Sequence, residues 1–120
     1  MSFEGKELGM KGEELAEAHL RKKGYQILRR NYKTKRGEID IIAQDNDCTV
    51  FVEVKTFQDN SWEGVGPTIN VTPAKQRQVV NTARAYIAEI GREPHCRFDV
   101  VAVVTAPELV IEHFEGAFTA

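Results

Sequence analysis

Three side chains in the first half of the chain have the types and spacing to hold a divalent cation beside a reacting group. They are Asp40 in Glu38-Ile39-Asp40, and Glu53 and Lys55 in Phe51-Val52-Glu53-Val54-Lys55. Whether they meet depends on the chain between them. Glu38–Gln44 and Thr49–Thr56 are rich in β-formers, and Asp45-Asn46-Asp47-Cys48 between them is a compact turn signal. A symmetric antiparallel hairpin with Asn46-Asp47 at its centre sets Asp40 opposite Glu53 and Glu38 opposite Lys55. Side chains alternate along a strand, so these four share one face, with Ile39, Ile41, Val52 and Val54 on the other.

Two carboxylates directly opposed across a ladder repel, which costs stability unless a cation intervenes. Hard oxygen ligands of this kind suit Mg²⁺ or Mn²⁺. Lys55, one pleat along, would steady an attacking water or the charge that develops on a phosphate. A local rule broken on one strand face is where a functional site is expected. The bland reading, a solvated Glu-x-Lys strand face, stands unless the register brings Asp40 and Glu53 together.

The elements that must position these residues follow from periodicity. Gly5 to Lys23 reads as a helix ending at Gly24, with Leu8, Gly12, Leu15, Ala16, His19 and Leu20 on one stripe and Glu13 at its border. Glycines 5, 9 and 12 weaken its first turns and mark a close approach to backbone or ligand. Tyr25 to Asn31 is a short strand. Phe57 to Val71 reads as an irregular loop. Thr72-Pro73, an N-cap and an N1 proline, opens a second helix that ends at Gly91, with Val79, Val80, Ala83, Tyr86, Ile87 and Ile90 facing inward. Arg97–Val104 is a near-continuous apolar strand, as a buried position demands, and Leu109–Phe114 is a last one. The order is α-β-β-β-α-β-β, with strands three and four parallel across a right-handed crossover. The expected architecture is α/β, a mixed central sheet flanked by helices, in one domain spanning 1–120.

Composition sets the outer bounds. A net charge of −2 does not announce a nucleic-acid binder, but the distribution is lopsided. Half of the 16 Lys and Arg lie between Arg21 and Arg36, as Arg21, Lys22, Lys23, Arg29, Arg30, Lys33, Lys35 and Arg36, with no acid among them. That is either a polyanion footprint or a solvated basic edge. No apolar run approaches the roughly 20 residues of a membrane span, and no secretory signal is evident. Cys48 and Cys96 alone support neither a disulfide framework nor a zinc site, which fits a reduced cytoplasmic setting. The scattered His19, His95 and His113 read as surface or packing residues, and Asp99 beside Arg97 as a structural polar pair.

Several motifs together resemble the YraN-like family of small bacterial proteins. They are Gly9-x-x-Gly12-Glu13-x-x-Ala16, Gly24-Tyr25-x-Ile27-Leu28-x-x-Asn31, Gly37-Glu38-Ile39-Asp40, Phe51-Val52-Glu53-Val54-Lys55, Lys75-Gln76 and Arg97-Phe98-Asp99-Val100-Val101. The resemblance runs in order across nearly the whole chain. It implies the restriction-endonuclease-like superfamily, an αβββαβ core, and a PD-(D/E)xK nuclease site similar to that of archaeal Holliday-junction resolvases. By that likeness Asp40 and Glu53 would ligate the metal, Lys55 would serve catalysis, and Glu13 would complete the site from the first helix. Arg29, Arg30, Lys33, Lys35 and Arg36, with Glu38, Lys75 and Gln76, are the candidates for the substrate side. The expected activity is Mg²⁺- or Mn²⁺-dependent cleavage of DNA, with branched DNA suggested by the resolvase likeness alone and a homodimer suited to cutting two strands. The rival expectation is a non-catalytic nucleic-acid-binding or protein-interaction module with a vestigial site. Phe57 stands where the family commonly has a basic residue, which favours the rival. Phe57 and Trp62 would either stack on a base or pack.

Overall fold

The computed structural model describes residues 5–58 and 71–120, and the expected Trp62 contact lies outside them. The elements are α1 (Gly5–Lys22), β1 (Gln26–Thr34), β2 (Gly37–Asp45), β3 (Cys48–Phe57), α2 (Pro73–Ile90), β4 (His95–Val104) and β5 (Val110–Phe118). They form one five-stranded sheet in the order β1-β2-β3-β4-β5. The β3–β4 pair is parallel and the other three are antiparallel, so the expected mixed sheet is borne out. Its two faces carry separate cores. Ala16 and Leu20 of α1 pack on Ile41, Val50, Val52, Val101 and Val103. Val79, Val80, Ala83 and Tyr86 of α2 pack on Ile42, Phe51, Phe98 and Val100. No helix among the described residues is long and apolar enough to cross a membrane.

The punctuation works as the residue types dictate. Thr72 accepts a hydrogen bond from the Lys75 N–H ahead of Pro73, and Gly91 closes α2 at φ 74° with its N–H on the Ile87 carbonyl. Asn46 (φ 54°) and Asp47 make a two-residue turn, and Asp45↔Cys48 through Ile41↔Val52 keep the expected register.

Beyond Ile41 the geometry departs from the regular hairpin. Paired positions between β2 and β3 end at Ile41↔Val52, so neither Asp40 with Glu53 nor Glu38 with Lys55 is the opposed ladder pair expected. Alternation also breaks at Asp40: Ile39 lies in the α2-side core, whereas Ile41 lies in the α1-side core. The expectation that Ile39 shares a face with Ile41, Val52 and Val54 is therefore corrected. The cause lies on β1, where Asn31 takes φ 52°, the left-handed region that Asn tolerates better than most residues. Pairing goes from Arg30↔Ile41 to Tyr32↔Ile39, and both strands turn over between. Arg30 reaches α1, while Tyr32 is buried on the α2 side. β1 therefore continues through Asn31 to Thr34 rather than ending there.

Candidate active site

The break in alternation frees Asp40 for other work. Its carboxylate accepts the Val54 N–H at 2.8 Å, so a side chain of β2 takes a backbone donor of β3 just where ladder pairing stops. That contact holds Asp40 beside Glu53. Glu53 comes from the middle of the sheet, between β2 and β4, and is only 4% exposed. The two carboxyls lie close enough for each to shift the other's titration. Burial and the Asp40 charge push Glu53 up to about 8, against the pull of Lys75 and Lys55. Burial also raises Asp40, opposed by the Val54 N–H and Lys75.

The helices complete the surroundings. A Cβ on Gly12 would run into the Thr56 side chain, so only glycine lets α1 lie this close to β3 just past Lys55. Gly9 meets nothing within 4 Å, so the expected close approach belongs to Gly12. The next residue, Glu13, is thereby brought within the field of Asp40. Burial and that field raise Glu13, while hydrogen bonds from Asn31 and Arg30 pull it down. On the other face, Lys75 in the first turn of α2 places its ammonium 3.7 Å from Glu53. One oxygen of Glu53, Oε1, is buried with no hydrogen-bond partner.

This donor set fits a divalent cation. A buried carboxyl oxygen without a partner is costly, and ionising it there costs several kcal/mol more; Glu53 Oε1 beside Asp40 is such an atom. Among the described residues no three carboxylate, imidazole or thiolate groups converge on a point. The pair would hold an ion with solvent or substrate oxygens filling the other positions, as Mg²⁺ commonly does. Glu13 stands next to that pair, tied to Arg30 at 3.5 Å.

The remaining candidates divide. Glu38 is ion-paired with Lys33 at 3.8 Å, not with Lys55. Arg29 is bound to Glu89 at 2.8 Å, and Arg30 to Glu17 at 2.8 Å and to Glu13. Gln76 donates its amide to the Val71 carbonyl at 2.9 Å, fastening the chain where it enters α2 rather than reaching the carboxylates. Lys35 and Arg36 sit exposed on the β1–β2 turn. Asn31 is the residue that periodicity does not single out; its one signal in the sequence is a lone Asn inside a strand-forming run.

Asp99 lies away from this site and is structural, as expected. It is 0% exposed and receives His113 Nε2 at 2.7 Å, Arg97 Nε at 3.0 Å and the Gly116 N–H at 3.0 Å. Burial alone would raise its pKa, but these three bonds hold it below the ordinary carboxylate value. Arg97 also reaches Asp45, the Tyr25 hydroxyl and Glu115, tying three strands and the start of β1 together.

Comparison with known proteins agrees with the motif reading. The model of the family described as "Uncharacterised protein family UPF0102" matches residues 12–103. The chain belongs to the UPF0102 family. A UPF0102 protein of Chlorobium limicola is 43% identical, covering 98% of this chain and 96% of its own length. One from Geobacter sulfurreducens is 42% identical over 98% of this chain and 92% of its own. One from Cupriavidus taiwanensis is 48% identical over 79% and 72%. The UPF0102 match bears out the YraN-like resemblance, and its span takes in Glu13, Asp40, Glu53, Lys55, Lys75 and Gln76.

Proposed function

We propose that this UPF0102 protein is a divalent-metal-dependent DNA endonuclease of the restriction-endonuclease-like kind. The observation that carries the reading is the buried carboxylate pair: Glu53, with one oxygen unpartnered, against Asp40, whose second role is to hold the Val54 N–H. Asp40 and Glu53 would hold Mg²⁺ or Mn²⁺, and Glu53 would release its proton as they do so. Bound there, the cation would supply an acidified water and withdraw charge from a phosphate. Lys55, two residues on from Glu53, would neutralise charge on the scissile phosphate. Lys75 holds the carboxylate pair from the α2 side and would turn toward substrate once a cation replaces it. Glu13 would act beside Asp40 from α1. A reduced cytoplasmic setting is supported by Cys48 and Cys96 both being free thiols.

Two observations favour the alternative, a non-catalytic nucleic-acid-binding or protein-interaction module: Glu13 is held by Arg30 and Asn31, and Phe57 follows the Glu-x-Lys run. Incubation with single-stranded, duplex, flap and four-way DNA in Mg²⁺ or Mn²⁺ separates the two. The hydrolase reading expects cleavage that Asp40→Asn and Lys55→Ala each abolish. Activity unchanged by Lys55→Ala sinks the assigned chemistry, and no cleavage of any form by the wild-type protein favours the module.

A further inference from the structure

The basic residues of the chain are not equally free. In the 21–36 run, Arg21 is held by Glu17, Arg29 by Glu89, and Arg30 by Glu13 and Glu17, while Lys23 donates to His113. These cations stitch α1, β1 and α2 together. Eight exposed Lys and Arg among the described residues enter no ion pair: Lys6, Lys11, Lys22 and Arg92 are scattered, whereas Lys35 and Arg36 lie on the β1–β2 turn and Arg77 and Arg84 on α2.

The fold brings Arg36 to the two α2 arginines, with Lys35 next to it on the same turn. Gly37 lies against Gln78, where a Cβ would collide with that side chain, so the β1–β2 turn is pressed onto the middle of α2. Arg36 and Arg84 line one groove with Asn81, and Arg77 and Arg84 line the adjoining one. Arg77, Asn81 and Arg84 follow helical spacing along one face, and Arg84 is steadied by the Asn81 side chain at 3.3 Å. From Pro73 to Ala88, α2 contains no acid at all. The first turn of this helix carries Lys75, which touches Glu53, so α2 itself runs from the carboxylate site past these cations.

We propose that this ridge, with Lys35, Arg36, Arg77 and Arg84 as its cations and Asn81 as a neutral donor, binds the phosphodiester backbone of duplex DNA. Arg77 and Arg84 are about 10 Å apart along the helix axis, roughly three phosphate steps at 3.4 Å per nucleotide of one strand. The only aromatic residue of α2, Tyr86, is buried against the sheet, so the ridge has no stacking platform of the kind single strands use. Charge without stacking suits the outside of a duplex. Arg29 and Arg30, prominent in the sequence, are not part of it. The assignment extends the hydrolase reading by naming the path of its substrate, but backbone binding needs no metal and is measured without one.

The test is fluorescence anisotropy of a labelled DNA duplex with the full chain in EDTA, at several salt concentrations. Arg77→Gln/Arg84→Gln and Lys35→Gln/Arg36→Gln are each expected to weaken binding about tenfold and to lower the slope of log affinity against log salt by about 2, one per cation removed. Arg29→Gln and Arg21→Gln should change affinity less than twofold, with circular dichroism confirming that every variant is folded. Equal loss in Arg29→Gln, unchanged slopes in the ridge variants, tighter binding to duplex RNA than to duplex DNA, or no binding by the wild-type protein each overturns the assignment. Loss of binding in the ridge variants with no cleavage by the wild-type protein leaves the ridge standing and removes the hydrolase. Cleavage with unaltered binding in the ridge variants does the reverse.

Discussion

Glu53 makes the metal-free protein sensitive to pH in a direction opposite to that of most carboxylates. Its folded-state pKa is about 8, against an ordinary value of 4.5. The native state therefore keeps a proton on Glu53 that the unfolded chain gives up, and stability falls as pH rises between those values. The contribution is fully present below pH 4.5 and is lost as pH rises through about 8. Between pH 5.5 and 7.5 the slope approaches one proton per molecule, a loss on the order of 2–3 kcal/mol. Glu53→Gln places a neutral amide at the same position, so its stability should fall markedly less over that window. The assay is urea unfolding by circular dichroism in EDTA at pH 5.5 and 7.5, with equal m-values required before the free energies are compared. Saturating Mn²⁺ or Mg²⁺ should cancel the loss in the wild-type protein, because the ion selects the ionised carboxylate. An equal pH dependence in Glu53→Gln would refute the reasoning, since the proton would then belong to another group.

Other outcomes follow from the packing. Gly12→Ala forces a methyl into the Thr56 side chain and should cost about 1–3 kcal/mol in thermal or urea unfolding, with part recovered by adding Thr56→Gly. Arg97→Met strips the buried Asp99 of one partner and should cost about 3–5 kcal/mol, most visibly as faster amide exchange in β4 and β5. Thr72→Ala removes the N-cap of α2 and should cost about 1 kcal/mol, measured by urea unfolding.

Much of this arrangement was legible in the residues. The two helices, their caps, the parallel β3–β4 crossover and the hairpin register are local or near-local consequences of periodicity and turn chemistry. The nearness of Asp40 to Glu53 was expected from that register, but ladder pairing ends at Ile41↔Val52 and the Val54 N–H holds Asp40 there instead. β1 and β5 both run past the ends expected from sequence, to Thr34 and Phe118. Asn31 carries β1 through a left-handed residue, and β5 continues past Gly116 to Phe118, whose ring stacks on Phe98 at 5.1 Å.

By itself, then, the amino-acid order named the carboxylates of the candidate site and the two strands that deliver them, since both follow from types and spacing along one hairpin. Tertiary structure alone decided what surrounds them. The turnover at Asn31 and Asp40 sends Asp40 to the Val54 N–H and Ile39 to the other core. The closeness of α1 at Gly12 admits Glu13, and docking of α2 supplies Lys75. Which cations are spent on ion pairs and which remain for a ligand was likewise decided across elements. Arg29 and Glu89 are 60 residues apart in sequence. No periodicity can report such a contact, because the energy that selects it comes from packing two helices on opposite faces of one sheet.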